Sequence, residues 1–207
     1  MTPVLYFHGF ASSPGSAKIA ALRPLLAPFG IELVTPDLNV PSFEELDFDA
    51  VVAHAAAEAR RSEPRALVGS SLGALTALGV AKSGFARPLV LIAPALGVAR
   101  RWAERIPESD PVRVFNYARN ADAFIHRRFF VQMANLHVDD EPPPSRVTAI
   151  MGKKDETVPF EIVEETWRNW ERAGLAPGSR FIELAEGDHS LVSAADIIRD
   201  AIVEAAS

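Results

Sequence analysis

The chain has 207 residues, no cysteine and a formal net charge of -6. A chain of this length suits a single domain that buries roughly 70% of the surface its unfolded form exposes, with no need of a disulfide or metal to hold its core. The missing cysteines exclude disulfide scaffolds, thiolate metal sites and cysteine nucleophiles, and the acidic balance disfavours non-specific nucleic-acid binding.

Met1-Thr2-Pro3 leads directly into the apolar run Val4–Phe7, which is too short and lacks the basic flank of a secretory signal. No run approaches the ~20 residues of a membrane span. The expectation is a cytoplasmic protein with no membrane or nucleic-acid partner. Six short apolar runs follow one another: Val4–Phe7, Ile31–Thr35, Ala66–Val68, Leu89–Ala93, Val147–Met151 and Phe181–Leu184. Most lack polar alternation, which is how strands buried on both faces of a parallel sheet read. Helical patterns lie between them at Ser16–Phe29, Phe43–Arg61, Leu72–Lys82, Phe160–Ala173 and Ala194–Ala205, with Gly174 as a helix stop. The alternation predicts an α/β fold, a three-layer, doubly wound, mostly parallel sheet of about six strands.

Residues 97–144 break the rhythm, being too long for an ordinary crossover. Ala121–Leu136 reads as a helix with Ile125, Phe129 and Met133 on one face, and Glu141-Pro142-Pro143-Pro144 as a stiff return to the sheet. The organisation expected is one domain over residues 1–207 carrying a helical cap insertion at about 97–144.

Gly69-Ser70-Ser71-Leu72-Gly73 carries the strongest chemical signal. It follows the run Ala66-Leu67-Val68 and precedes a helix, the context of a G-x-S-x-G nucleophile elbow. A sharp turn there lifts the hydroxyl of Ser71 above the sheet, and Gly69 and Gly73 keep the turn small enough to pack. A serine hydroxyl is a weak nucleophile and needs a base. Of the five histidines, His189 sits in a loop after the last strand, where catalytic groups collect in such sheets. His54 falls mid-helix, where a solvated or packing role is expected, and His126 and His137 fall in the cap, where surface roles are expected. Asp155 follows the fifth strand and fits a carboxylate that orients the imidazole, with Glu156 and Asp188 as rivals. Loop His8-Gly9-Phe10 follows the first strand. The backbone N–H groups of Phe10 and Leu72 are the expected oxyanion donors, Gly9 lets the backbone turn, and His8 braces the loop. Neither a phosphate-binding G-x-x-x-x-G-K nor a G-x-G-x-x-G fingerprint is present, Ser16 and Ala17 separating Gly15 from Lys18, and H-E-x-x-H is absent too. No cofactor and no metal is expected.

Taken together, these motifs resemble the α/β-hydrolase superfamily. The opening Leu5-Tyr6-Phe7-His8-Gly9-Phe10-Ala11-Ser12-Ser13-Pro14-Gly15-Ser16-Ala17-Lys18 and the Gly-Ser-Ser-Leu-Gly elbow are similar to those of the small bacterial YqiA-like esterases. The resemblance implies a shortened sheet lacking the two leading strands of a full hydrolase, and Ser71, Asp155 and His189 as the triad. Ala74 stands where many relatives carry a second glycine, and the cap is longer than the resemblance leads one to expect.

The function expected is a serine hydrolase cleaving a small-molecule acyl ester through an acyl-enzyme. Thioesterase or other acyl-hydrolase activity, a non-catalytic small-molecule-binding protein of the same fold, and an interaction scaffold docking through the cap are the alternatives. Phe115, Tyr117, Phe124, Phe129 and Phe130 are candidate walls of an acyl pocket. Arg113, Arg119, Arg127 and Arg128, with Asp122 the only acidic residue between 111 and 138, point to an anionic substrate as a further alternative.

Overall fold

The computed structural model describes residues 1–207. In chain order the elements are β1 (Thr2–Phe7), α1 (Ala17–Leu26), β2 (Ile31–Val34), α2 (Phe48–Ser62), β3 (Ala66–Ser70), α3 (Leu72–Lys82), β4 (Leu89–Ile92) and α4 (Val98–Trp102). There follow β5 (Val112–Asn116), β6 (Ala121–Ile125), α5 (Arg127–Ala134), β7 (Val147–Gly152), α6 (Phe160–Arg172), β8 (Arg180–Leu184) and α7 (Ala195–Ala206). Six strands form one parallel sheet in the order β2-β1-β3-β4-β7-β8. The six expected runs are these six strands, with boundaries differing by a few residues.

Position in the sheet accounts for the sequence of each strand. The inner strands β3, β4 and β7 are buried along their whole length, so nothing in them alternates. β2 lies at an edge, and its Glu32 is exposed between buried Ile31 and Leu33. Right-handed crossovers then fix the layers. The chain steps from β1 outward to β2, then reverses past β1 to β3 and β4. Accordingly α1 packs with α7, and α2 packs with α3. The reversal opens a crevice at the carboxyl ends of β1 and β3, the usual ligand position in an open α/β sheet. No helix is long and apolar enough to cross a membrane.

Two expectations need correction. Ala121–Leu136 is not one helix: Ala121–Ile125 is strand β6, paired antiparallel with β5 outside the main sheet, and only Arg127–Ala134 is helical. Ala123 and Ile125 are buried while Asp122 and Phe124 are exposed, a period of two that the spacing of Ile125, Phe129 and Met133 hides. The segment between β4 and β7 is therefore a mixed hairpin-and-helix insertion, not a purely helical one. The helix expected at Phe43–Arg61 begins only at Phe48, because Asp47 caps it, its carboxylate accepting from the Ala50 N–H at 3.0 Å. The freed Phe43 packs on Phe10, ring centroids 5.8 Å apart.

Polar contacts moor the insertion to the sheet domain. The Ala118 N–H donates to the Ala11 carbonyl at 3.2 Å and the His126 N–H to the Glu44 carbonyl at 3.0 Å. Gln132 Oε1 accepts from the Phe48 N–H at 2.7 Å, tying α5 to the start of α2. At the far end, buried Asp139 accepts from the Gly97 N–H, while its own carbonyl accepts from Trp170 Nε1 at 2.8 Å.

Candidate active site

Ser71 sits between β3 and α3 with φ 55° and ψ -119°, a left-handed conformation that a non-glycine residue adopts only under restraint. Backbone bonds hold it there: its N–H donates to the Ile92 carbonyl at 2.9 Å, and its own carbonyl accepts from the Ala95 N–H at 3.2 Å. The flanking glycines are required by contact. A Cβ on Gly73 would lie 2.1 Å from the Phe7 carbonyl oxygen, and one on Gly69 would lie 2.2 Å from the Gly73 carbonyl oxygen.

Ser71, Asp155 and His189 come from three separate loops and meet. Ser71 Oγ lies 3.1 Å from His189 Nε2, and His189 Nδ1 lies 2.7 Å from Asp155 Oδ2. A carboxylate only accepts, so the Nδ1–H donates to Asp155 and leaves Nε2 to accept the Ser71 hydroxyl proton. Asp155 Oδ1 accepts from the Thr157 and Val158 N–H groups, both at 2.8 Å, which locks the carboxylate in place. The rivals lie elsewhere: Glu156 is exposed, and Asp188 accepts from Ser190 Oγ and the Leu191 N–H. The two loops are held together by a backbone contact the sequence did not reveal. A Cβ on Gly152 would lie 2.2 Å from the Gly187 carbonyl oxygen, and the Lys154 N–H donates to that same carbonyl at 2.9 Å.

The His8-Gly9-Phe10 loop passes directly over the serine, a Cβ on Gly9 falling 3.2 Å from Ser71 Cβ. The Phe10 ring stacks on Phe129 at 5.4 Å with an interplanar angle of 9°, in addition to its contact with Phe43. Leu72 opens α3, so its N–H is among those a helix leaves without an internal acceptor. His8 is buried and braces the loop: its Nε2 accepts from the Leu38 N–H at 3.0 Å, and its Nδ1 donates to the Gly9 carbonyl at 2.9 Å. Burial pushes its pKa down, and the bond accepted at Nε2 requires the neutral ring. His54 lies on α2 away from these groups, while His126 pairs with Glu45 and Asp110, and His137 with Asp140.

A cleft of about 570 Å³ opens above Ser71 and His189, within the range of small-ligand sites. Of the five aromatic wall candidates, Phe115 and Tyr117 line it. Phe124 is exposed, and Phe129 and Phe130 are buried, Phe130 against Trp102. The arginines that suggested an anionic substrate are engaged elsewhere. Arg113 pairs with Asp122, Arg119 with Glu44 and Arg128 with Glu45, while Arg127 donates to the Pro107 carbonyl. Glu44 and Glu45 come from the loop before α2, far away in the sequence, so counting charges between residues 111 and 138 alone overstated the local basicity. The cation that does line the cleft is Lys18.

A family model described as "Uncharacterised protein family (UPF0227)" matches residues 3–202. No curated protein matches the chain. Among solved structures, Est1E from Butyrivibrio proteoclasticus with ferulic acid bound superposes with a TM-score of 0.78 at 14% identity, over 99% of this chain and 89% of that one. Mouse alpha/beta hydrolase domain-containing protein 10 gives 0.78 at 18% identity, over 98% and 88%. A monoacylglycerol lipase from Paleococcus ferrophilus gives 0.75 at 14% identity, over 98% and 92%. The fold is that of the α/β-hydrolases.

Proposed function

The chain belongs to the UPF0227 family, and on that footing we propose that it is a serine hydrolase cleaving an acyl ester through Ser71, His189 and Asp155. The observation that carries this reading is the position of His189, with one ring nitrogen 3.1 Å from Ser71 Oγ and the other 2.7 Å from a buried carboxylate. A restrained serine, a base within reach of its proton and a group that orients the base are the parts nucleophilic acyl transfer requires. The esterase and lipase among the structural neighbours support the same chemistry.

The cycle follows from these positions. Ser71 Oγ bonds to the ester carbonyl carbon as its proton passes to His189 Nε2, and the carbonyl electron pair moves onto oxygen. The Phe10 and Leu72 N–H groups hold that oxyanion, each worth roughly 3 kcal/mol in such sites. Collapse re-forms the carbonyl and breaks the bond to the alcohol oxygen, which takes the proton from Nε2. Water then attacks the acyl-enzyme, giving up a proton to Nε2, and the second collapse returns that proton to Ser71 Oγ. The net reaction is ester plus water to carboxylic acid plus alcohol. His189 stays neutral between steps because Asp155 only accepts and orients.

The test is a fluorophosphonate probe with the adduct mapped by mass spectrometry, since this needs no guess of substrate. Labelling at Ser71 that disappears in a His189→Ala variant is the expected result. An unlabelled Ser71 would overturn the assignment and move weight to a small-molecule-binding role for the same cleft.

A further inference from the structure

Acyl transfer leaves Lys18 without a task. It is the second residue of α1, yet its ammonium crosses to β3, where Nζ donates to Ser70 Oγ at 2.8 Å. The hydroxyl of Tyr6, a buried residue of β1, meets the same Ser70. Lys18, Ser70 and Tyr6 all line the cleft beside Ser71 and His189. No carboxylate forms an ion pair with Lys18. Asp155 and Asp188 attract it only at longer range, and both are already committed, to His189 and backbone amides and to Ser190 and Leu191.

A half-buried ammonium whose hydrogen-bond partner is a hydroxyl is a costly arrangement, because burial strips part of its water and no carboxylate in direct contact replaces it. The penalty is visible as a pKa pushed down by burial to about 8, which still leaves the group cationic at neutral pH. A packed apolar residue would be more stable at this position, so the charge is explained by a ligand that completes it. Ser70 adjoins Ser71 in the chain, and consecutive Cα atoms are ~3.8 Å apart, so Nζ lies within about 11 Å of the nucleophile. Phe10, Val114, Phe115 and Val192 give the same cleft an apolar wall.

The geometry points to a substrate that is a half-ester: an acyl ester whose short carbon skeleton bears a second, free carboxylate, seated on Lys18 while Ser71 attacks the ester carbonyl. This rests on the hydrolase reading above and names its substrate class. One ammonium matches one carboxylate. A phosphate dianion would bring an uncompensated second charge close to Asp155, and the cap arginines, all engaged with acidic residues or a backbone carbonyl, offer it nothing. Lys18 is thus a specificity-determining residue that touches the substrate away from the reacting bond.

Two matched pairs of esters test this in the full chain. Monomethyl and dimethyl adipate place the charge on the acyl side, and 3-acetoxybenzoate and its methyl ester place it on the alcohol side. In at least one pair the charged member is expected to have a kcat/KM about tenfold above the neutral one. Lys18→Met should cut that ratio at least tenfold and Lys18→Gln should do the same, whereas Lys18→Arg should keep part of it. A purely structural lysine would lower both members together and leave the ratio alone. The inference is overturned if wild type favours the neutral member of both pairs, or if the ratio survives in Lys18→Met and Lys18→Gln. Fluorophosphonate labelling separates the two levels: Ser71 labelled without discrimination fails the lysine assignment and keeps the hydrolase. If Ser71 is unlabelled and no ester turns over, the hydrolase reading fails. Calorimetry with adipate then still decides the anion site: binding lost in Lys18→Met upholds it, and absence of binding to wild type overturns it.

Discussion

The Gly152 and Gly187 backbones touch, and this contact brings the loop bearing Asp155 against the loop bearing His189. A methyl group on Gly152 would have to occupy the space of the Gly187 carbonyl oxygen, 2.2 Å away, and backbone cannot yield as a flexible side chain can. Gly152→Ala is therefore expected to force the β7 and β8 ends apart. Overpacking of this kind costs roughly 1–3 kcal/mol, read as a fall in Tm of roughly 2–12 °C for a chain this long. The rate of Ser71 labelling should fall at least tenfold because the His189–Asp155 bond stretches. Unchanged labelling would mean that the two loops hold their register by other means.

Asp155 does two things through two oxygens, and substitution can separate them. In Asp155→Asn an amide oxygen can still accept from the Thr157 and Val158 N–H groups, so the fold should persist. The amide nitrogen then faces His189 Nδ1 and donates, so the imidazole proton moves to Nε2, where it can no longer accept from Ser71. Such a tautomer reversal costs about 10⁴-fold in kcat where it has been measured in serine hydrolysis. Ester turnover at unchanged Tm is the measurement. Asp188→Asn and Glu156→Gln, whose carboxylates do not contact His189, should each cost less than tenfold, and a large loss in either would reassign the third member.

The residues just discussed mark where the sequence was readable and where it was not. Ser71, His189 and the six sheet strands were legible because each rests on a local signal: an unbroken apolar run, or a motif of five residues at a strand-to-helix junction. The Gly152–Gly187 contact was not, since it joins two loops across the sheet end and leaves only two ordinary glycines as its trace. The insertion was misread for a related reason. Ile125, Phe129 and Met133 are all buried, as a helical face would be, but Ile125 is buried from a strand and the others from a helix, with His126 extended between them. The cap arginines failed as a guide because the partners of Arg119 and Arg128, Glu44 and Glu45, lie some 75 residues or more away in sequence. Lys18 stood in view within a motif, but nothing local told that its ammonium reaches Ser70.

His8 makes stability depend on pH. Burial holds its pKa below the ordinary 6.5, and its Nε2 accepts the Leu38 N–H, which a protonated ring cannot do. The unfolded chain takes up this proton first as pH falls, so the stabilising contribution is present above about 6.5 and declines below it. Nearby Asp37, with its oxygen 3.5 Å from Nε2, softens the effect without reversing it. Urea midpoints for wild type and His8→Asn are expected to differ more at pH 7.5 than at pH 5.5. An identical difference at both would show that His8 does not titrate on unfolding.

Lys18 carries the opposite expectation for a substitution: the variant should be more stable than wild type. Its folded pKa of about 8 lies below the unfolded value of 10.5, so between those limits the unfolded chain binds the additional proton and wild-type stability rises with pH. Lys18→Met removes the penalty, and its advantage over wild type should be largest below pH 8, with roughly 3 kcal/mol as the upper bound, and shrink towards pH 10.5. Preference for a carboxylate-bearing ester should fade over the same rise, starting near pH 8, as the ammonium loses its charge. The other groups around it are Tyr6 from β1, Asp155 from the loop after β7, and Asp188 and His189 from the loop after β8. Burial drives the Tyr6 phenol well above its usual range, so it stays neutral across this window. Thermal unfolding of both proteins from pH 6 to 10, with the charged-to-neutral kcat/KM ratio measured alongside, checks both halves. A variant that is less stable than wild type at pH 7 would mean that Lys18 supports the fold through Ser70, and the charge would then need no ligand to explain it.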